Sequence, residues 1–396
     1  MDDIFETVRK IRVDITKLLS KNTKRMCLYP GCSERSISSH SISKSILKNI
    51  AEDGHVISPV FNRCALGKNT QEWATPSGSN LKIKPIGIKD ASIFNGFCEK
   101  HDNSVFCSLD DTGIVTYRDI FLQLYRSACR FNFMENVVAQ SELKHQGFEY
   151  NCNTEFEEKI QINLSNLTLF FHDLLTNFDE LKVPISISYS EALCQQPYSQ
   201  TVPLKMETIY KKIAIQYPIA LQKDFTLHFK GKYHHCLIVL LPHAECSSLI
   251  IACHPSIVPL FGNYISKGDI GILRLIESIM MADSDFYLAP SIYDKWSTEK
   301  KQSISDDFYF CNERKFLDEY DISIFDGIRV QILDHLSGPE KDAELQKLKR
   351  LPSRHSYVER DRQMTNYNIQ QRLRKLKFTG NQTGRCYPAS ELEIEE

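Results

Sequence analysis

Two short segments of the sequence contain paired residues that could bind a metal ion. Cys27 and Cys32 flank a Pro-Gly pair, and Cys98 is followed three residues later by His101. The Pro-Gly turn would bring both sulfurs to one side of the chain, and Gly96 would permit a tight turn before the second pair. Three thiolates and an imidazole suit a tetrahedral Zn²⁺ whose four positions are all filled by protein. The spacing predicts a structural zinc site; the alternative is free buried thiols and a surface histidine.

The order of these residues resembles the treble-clef zinc finger of HNH endonucleases. The shared order is a cysteine pair, then Ser39-His40, a long insert, and Phe-x-Gly-Phe-Cys-x-x-His-Asp ending at Asp102. The resemblance covers roughly residues 25–107, about a fifth of the chain. It implies a zinc-stabilised fold and a metal-dependent nuclease that hydrolyses phosphodiester bonds in DNA or RNA.

The resemblance also implies catalytic residues. His40 matches the general base, Asp102 stands where the family has a metal-binding histidine, and Asn95 lies close to its middle asparagine. His40 would take a proton from water, and Mg²⁺ or Mn²⁺ held by Asp102 would stabilise charge on the scissile phosphate. The sequence departs from the family in its second ligand pair, which is Cys/His, and in that final aspartate. These departures bear more on catalysis than on zinc.

His40 has two other interpretations. It lies just before a helical pattern, so Ser41 or Ser43 could cap that helix by accepting hydrogen bonds from its free N–H groups. Alternatively, His40 replaces one of the four predicted zinc ligands. The sequence leaves these alternatives open.

Helical patterns surround this constellation and would position it. Apolar residues recur on one helix face in 1–22, after His40 as far as Asp53-Gly54, and in 116–143 and 155–181. Asp-Gly is a typical helix stop. The Gly- and Pro-containing segment 59–89 is predicted to form hairpins and loops.

The character of the chain changes at residue 183. In 183–258, β-branched and aromatic runs alternate with turn residues, which predicts a mainly antiparallel sheet. Residues 268–335 return to a helical pattern. The predicted fold class is therefore α+β, with an N-terminal zinc treble clef and flanking helices, a central mainly antiparallel β domain and a helical C-terminal part.

These patterns divide the chain into five predicted segments. They are an N-terminal helix (1–22), a zinc-binding HNH-like domain (23–112), a helical connector (113–182), a β-rich and then helical domain of unknown role (183–335), and a charged, flexible tail (336–396).

The composition excludes several classes of protein. The chain has 48 Lys and Arg against 50 Asp and Glu, and 42% hydrophobic residues, unlike a disordered chain or a basic nucleic-acid coat. Its longest apolar run, from Cys236 to Leu241, is far shorter than the roughly 20 residues of a membrane helix. The start is acidic, and the 13 cysteines are scattered. We therefore expect a cytoplasmic protein with free thiols and no membrane partner.

The last segment bears on partners. Between residues 340 and 378, eleven Lys and Arg residues oppose five acidic ones and are interleaved with tyrosines. Such a segment could lie along phosphates and stack on bases, so a nucleic-acid partner is expected and a protein partner is possible. A solvated, partly disordered tail is the other interpretation.

Two functions fit these observations. The first is the HNH-like nuclease, with structural zinc and catalytic Mg²⁺ or Mn²⁺; by analogy, it would belong to a bacterial phage-defence or toxin-like system. The second is a non-catalytic zinc-finger scaffold or sensor that binds a protein or a nucleic acid. A nuclease would place His40 and Asp102 in one solvent-open cleft, whereas a scaffold would bury His40 or use it as a zinc ligand.

Overall fold

The chain has an α+β fold in a computed structural model. This structure describes residues 14, 17–19, 25–61, 81–143, 154–185, 191–195, 204–229, 232–282, 284–310, 319–353 and 391–393. Its described strands are β1 Ser38–His40, β2 His55–Phe61, β3 Leu81–Gly87, β4 Ile93–Asn95, β5 Glu191–Gln195, β6 Glu207–Ile213, β7 Ile219–Phe229, β8 Lys232–Pro242, β9 Ser247–Cys253, β10 Asp285–Leu288 and β11 Glu391–Glu393.

The described helices cluster before and after the central strands. They are α1 Lys44–Lys48, α2 Glu99–Val105, α3 Cys107–Thr112, α4 Tyr117–Leu143, α5 Thr154–Asn177, α6 Val258–Ile265, α7 Gly268–Met280, α8 Pro290–Asp294, α9 Thr298–Phe310, α10 Asp326–Leu333 and α11 Gly338–Lys349. Within the described part of the chain, no helix has the length and apolarity needed to cross a membrane.

Nine of the described strands form one large sheet. Eight lie in the order β3-β2-β10-β7-β8-β9-β6-β5, all antiparallel, and β11 pairs parallel to β7. Strands β1 and β4 form a separate two-stranded antiparallel sheet. The predicted antiparallel sheet is confirmed, and it includes the hairpin of β2 and β3 from the segment that we assigned to the zinc-binding domain.

Both faces of the large sheet are covered, as the unbroken apolar run of β8 requires. Leu237 and Val239 of β8 share a core with helices α4 and α5 and with the residues around the cysteine pairs. Ile238 and Leu240, which point to the opposite face, share a second core with helices α6, α7, α9 and α10. The sheet is thus the middle layer of three.

The predicted segments do not have separate cores. Phe97, Tyr125 and Leu237, from three of them, belong to one buried cluster. In addition, Ile57 of β2 pairs with Leu288 of β10. The ranges 23–112, 113–182 and 183–335 therefore pack as one body, because the β2–β3 hairpin extends the central sheet and α4 crosses its face.

The two long helices form where the 3.6-residue pattern predicts them, as α4 and α5. The helix after His40 is shorter than predicted: Ser43 caps it, accepting a hydrogen bond from the Ile46 N–H at 3.3 Å, and the helix ends at Lys48. Strand β10 lies in a range predicted as helical, and its four residues are too few to carry a periodic signal. The predicted helix 1–22 lies almost entirely outside the described residues.

Part of the predicted flexible tail is a docked helix. Helix α11 falls within 336–396, and Glu344, its buried carboxylate, pairs with Arg274 of α7 and Arg329 of α10. The low apolar content of this segment did not predict that α11 packs on the fold, because ion pairs of Glu344 hold the helix there. The basic residues from Arg354 to Lys377 lie outside the described part of the chain.

Candidate metal centre

The structure brings the four predicted zinc ligands together from two distant segments. The Sγ atoms of Cys27, Cys32 and Cys98 and a ring nitrogen of His101 all lie within 4.8 Å of one another. Cys27 and Cys98 are buried, whereas Cys32 and His101 are partly exposed. Among the described residues, this is the one group of three or more His, Cys, Asp or Glu side chains with such spacing. His40 does not belong to it.

The distances between the donor atoms fit one tetrahedral ion. Zn–S bonds of about 2.3 Å and Zn–N bonds of about 2.0–2.1 Å require about 3.8 Å between two sulfurs and about 3.5 Å between sulfur and nitrogen. The Sγ atoms of Cys32 and Cys98 are 3.9 Å apart. His101 Nδ1 lies 3.5 Å from Cys27 Sγ and 3.3 Å from Cys98 Sγ. The group can therefore hold a metal ion such as zinc with little rearrangement.

The first ligand pair is held by a tight turn. The backbone N–H of Cys32 donates to the Tyr29 carbonyl at 3.0 Å, and Gly31 adopts the positive φ of 76° that this turn needs. The N–H of Tyr29 also points at Cys27 Sγ, 3.4 Å away. Backbone donors directed at a sulfur favour its thiolate form, so the turn positions this ligand and partly offsets the effect of burial on its pKa.

The second pair lies at the start of α2. Cys98 is the residue that caps the helix, and its N–H donates to Cys27 Sγ at 3.2 Å, which ties the two pairs together. Gly96 precedes it, and a Cβ atom there would lie 2.4 Å from the Phe94 ring. Any side chain at Gly96 would therefore push this ring or the ligand loop aside.

The two buried thiols, those of Cys27 and Cys98, differ in the direction of their pKa shifts. Burial raises the pKa of Cys27 to about 11, so its sulfur is protonated at neutral pH. Burial also acts to raise the pKa of Cys98, but hydrogen bonds from the backbone N–H of His101 and with the Cys27 and Cys32 side chains outweigh it, so this pKa lies below its ordinary value. A divalent cation would displace the remaining protons and offset most of the negative charge of the three thiolates.

His101 is fixed by an aromatic neighbour. The Tyr29 ring stacks on the His101 ring, with centroids 4.1 Å apart and planes 14° from parallel. Because Nδ1 faces the sulfurs, metal binding requires the proton to be on Nε2. The stacking holds the His101 ring in the orientation that directs Nδ1 at the sulfurs.

His40 lies at the end of β1, with Ile93 of β4 opposite it. Its Nε2 is 3.3 Å from the Ile88 carbonyl oxygen, which can only accept a hydrogen bond. Burial, with a further contribution from Lys44, lowers the pKa of His40 to about 4. The ring is therefore neutral near pH 7, with a proton on Nε2 and a lone pair on Nδ1.

Asp102 lies on α2 among groups that bind its carboxylate. The Ser39 side chain forms a hydrogen bond with it, and Nη2 of Arg126 is 3.6 Å from its Oδ1. Burial nevertheless raises the pKa of Asp102. Ser39 and His40 are neighbours on one strand, and neighbouring side chains on a strand point to opposite faces. The third candidate, Asn95, is buried on β4 opposite Ser38.

Comparison with known proteins gives no relative for this arrangement. No model of a protein family matches the chain, and neither a curated protein nor a solved structure matches it.

Sequence reasoning missed the cation beside Asp102. Arg126 is 1% exposed in the middle of α4, where its Nη1 lies 2.8 Å from Asp110 Oδ1 and its guanidinium lies over the Phe106 ring at 4.5 Å. A signal was present, because Arg126 interrupts an apolar helix face next to Tyr125. A charge at a core-facing position indicates a buried partner, but not which one.

Proposed function

We propose that this chain is a zinc-binding protein in which the ion is structural. The observation that carries the proposal is the tetrahedral spacing of four donor atoms from Cys27, Cys32, Cys98 and His101. With all four positions supplied by protein, no position is left for water or substrate. The ion would fasten the turn at residues 27–32 to the start of α2.

The proposed fold of this region is a treble clef. A ligand-bearing turn, the paired strands β1 and β4, and a helix that begins at the second ligand pair follow one another in that order. The insert between β1 and β4 leaves this unit and supplies two strands to the large sheet. Zinc would thus stabilise a unit that is continuous with the central core.

For the activity, we favour a non-catalytic binding or scaffold protein. A nuclease of the HNH kind needs a divalent cation beside its general base. The residue expected to hold that cation, Asp102, is already contacted by Arg126 and Ser39. The positive guanidinium opposes a second cation there. The partner, a protein or a nucleic acid, is inferred from the sequence alone, as are the cytoplasmic location and the defence context.

The HNH-like nuclease is the second candidate, and His40 favours it. Its Nε2 is committed to the Ile88 carbonyl, so Nδ1 has the lone pair of a general base. The order β1, β4, α2 also has the ββα sequence that the resemblance implies. In this version, the bound metal would be held by Asp102 after its ion pair with Arg126 is broken, with His40 accepting a proton from water.

Metal analysis tests the zinc proposal. Purified wild-type chain is expected to contain about one zinc per chain, and Cys98→Ser to contain far less. Cys107→Ser is the matched control, because Cys107 is an exposed cysteine nine residues away that is not in the ligand group. Equal zinc in the Cys98 and Cys107 variants would overturn the proposal.

A nuclease assay on plasmid and single-stranded RNA, with Mg²⁺ or Mn²⁺, decides between the two activities. We expect no cleavage by a chain that retains its zinc. Cleavage that is lost in His40→Ala, with zinc content unchanged, would establish the nuclease instead. Cleavage that His40→Ala does not affect would point to a contaminant, because no other candidate base has been identified.

A further inference from the structure

A cleft of about 500 Å³ lies next to the candidate metal centre, between the ligand-bearing region and the helix pair α4–α5. It is not part of the zinc site and is unused by either proposed activity. The side chains that matter for its chemistry are Tyr29, Val105, Arg118, Tyr125, His172 and Leu175. Its volume is in the range of pockets that bind small organic molecules.

Rings and aliphatic side chains form the apolar part of the cleft. Tyr125 and Leu175 are almost completely buried. Tyr29 is held on one side by its stacking on His101 and meets the His172 ring edge-on, with centroids 4.8 Å apart. A wall of fixed rings favours a flat ligand, because stacking on it costs little side-chain entropy.

Two groups give the cleft its polar character. Nη1 of Arg118 donates to the Leu175 carbonyl oxygen at 2.8 Å, which anchors the guanidinium at the wall. A guanidinium has five N–H donors, so this bond leaves donors for an anion. Nε2 of His172 is buried and has no protein hydrogen-bond partner. An unsatisfied buried nitrogen is costly unless something in the cleft pairs with it.

Two carboxylates near the cleft, those of Asp119 and Asp111, accept hydrogen bonds from the protein. Asp119, the neighbour of Arg118, accepts hydrogen bonds from the Ser108 hydroxyl and from Thr116, so it is bound within the chain. Asp111 is exposed and accepts a hydrogen bond from the Cys107 thiol at the rim, 3.1 Å away. Of these two carboxylates, Asp111 is therefore the one that would oppose a bound anion.

We propose that this cleft binds a small organic anion that combines a flat ring with a phosphate or carboxylate group. The ring would lie against Tyr29, which is backed by the buried Tyr125. The anionic group would accept hydrogen bonds from Arg118, and His172 Nε2 would pair with a polar atom of the ligand. Nucleoside monophosphates and aromatic carboxylates share this chemistry, and both fit the volume.

Calorimetric titration of the full chain with five probes tests the proposal. The probes are AMP and anthranilate as the two ring-bearing anions, UMP as a smaller-ringed nucleotide, and adenosine and inorganic phosphate as the separate halves. We expect saturable binding of at least one ring-bearing anion, and binding of each half that is weaker by about tenfold or more. AMP or UMP without anthranilate would identify a nucleotide site, and anthranilate alone a carboxylate site.

Variants locate the bound anion. Arg118→Gln is expected to weaken binding by about tenfold or more, and Arg118→Lys by less, since the lysine keeps the charge but not the fork of donors. Asp111→Asn is expected to strengthen binding. Arg350→Gln, which removes an exposed arginine from the end of α11 on the other side of the sheet, should leave it unchanged.

The proposal is overturned if none of the ring-bearing anions binds, if inorganic phosphate binds as tightly as they do, or if Arg118→Gln binds normally. It does not rest on the proposed function. Zinc content measured in the same preparations separates the two: a chain without zinc that still binds the anion refutes only the zinc proposal, and a zinc-containing chain that binds no anion refutes only this one.

Discussion

The guanidinium of Arg126 lies against Asp102, with Nη2 3.6 Å from Oδ1, in a place where the arginine side chain is 2% exposed. A second carboxylate, Asp110 on α3, lies 2.8 Å from its Nη1. Arg126 therefore joins α4 to α2, which carries His101, and to α3. The charge of Arg126 thus fastens the region around the candidate metal centre to α4.

Removing this cation is expected to destabilise the fold strongly. Arg126→Met keeps much of the apolar stem but leaves Asp102 buried without its countercharge, and breaking one partner of a buried pair costs about 3–5 kcal/mol. The free energy of unfolding, measured with urea, is expected to fall by that order. Adding Asp102→Asn should restore part of the loss, because the uncompensated charge is then gone. An equal or larger loss in the double variant would contradict this account.

Local sequence patterns predicted the features of the fold that depend on residues close together in the chain. The grouping of Cys27, Cys32, Cys98 and His101 follows from two short spacings, and α4 and α5 follow from helical periodicity. The position of β10 between β2 and β7 could not be predicted in this way, because β10 pairs with residues more than 60 positions away in the sequence. The pairing of Arg126 with Asp102 is equally hidden, since it depends on how α4 packs against α2.

Removal of the metal is expected to loosen one region rather than the whole chain. With a strong chelator, amide hydrogen exchange should rise first in residues 25–40 and 93–105, which the four ligands connect. Strands β8 and β9 should keep their protection, because residues such as Leu237 and Ile250 are fully buried in the sheet. The chelated wild type is compared with chelated Cys98→Ser, in which the chelator should change nothing further. Uniform exchange across the sheet would mean that the ion stabilises the entire core.

His40 gives stability a pH dependence of defined sign. Its pKa is about 4 in the folded chain and about 6.5 when unfolded, so between these values the unfolded state binds the extra proton. The contribution of His40 to the free energy of unfolding is complete above pH 6.5 and is lost as the pH falls toward 4. We expect a loss of about 2 kcal/mol, less than the full shift implies because the ring is partly exposed.

The effect of His40 is isolated by substitution. The difference in stability between wild type and His40→Gln should shrink as the pH is lowered from 7 to 4.5, because glutamine takes up no proton on unfolding. Parallel curves for wild type and His40→Gln would contradict the burial argument. The unfolding free energy at each pH provides the comparison.

Ser92 combines backbone strain with hydrogen bonding just before β4. Its φ of 56° lies in the left-handed region, which costs an ordinary residue about 1–2 kcal/mol. Its hydroxyl donates to the Ile42 carbonyl at 2.8 Å and accepts from the Ile42 N–H at 3.3 Å. These bonds fix the start and the end of the insert between β1 and β4 side by side.

Alanine and glycine at this position separate the two effects. Both substitutions remove the hydroxyl, but only glycine relieves the strain, so Ser92→Gly should be more stable than Ser92→Ala by about 0.5–1 kcal/mol. Ser58, a buried serine in the extended strand β2, is the matched control, and there glycine should be the less stable variant. Urea unfolding of the four variants gives both differences. If alanine were the better replacement at both positions, the left-handed conformation of Ser92 would not be a source of strain, and its hydroxyl bonds alone would account for its place in the structure.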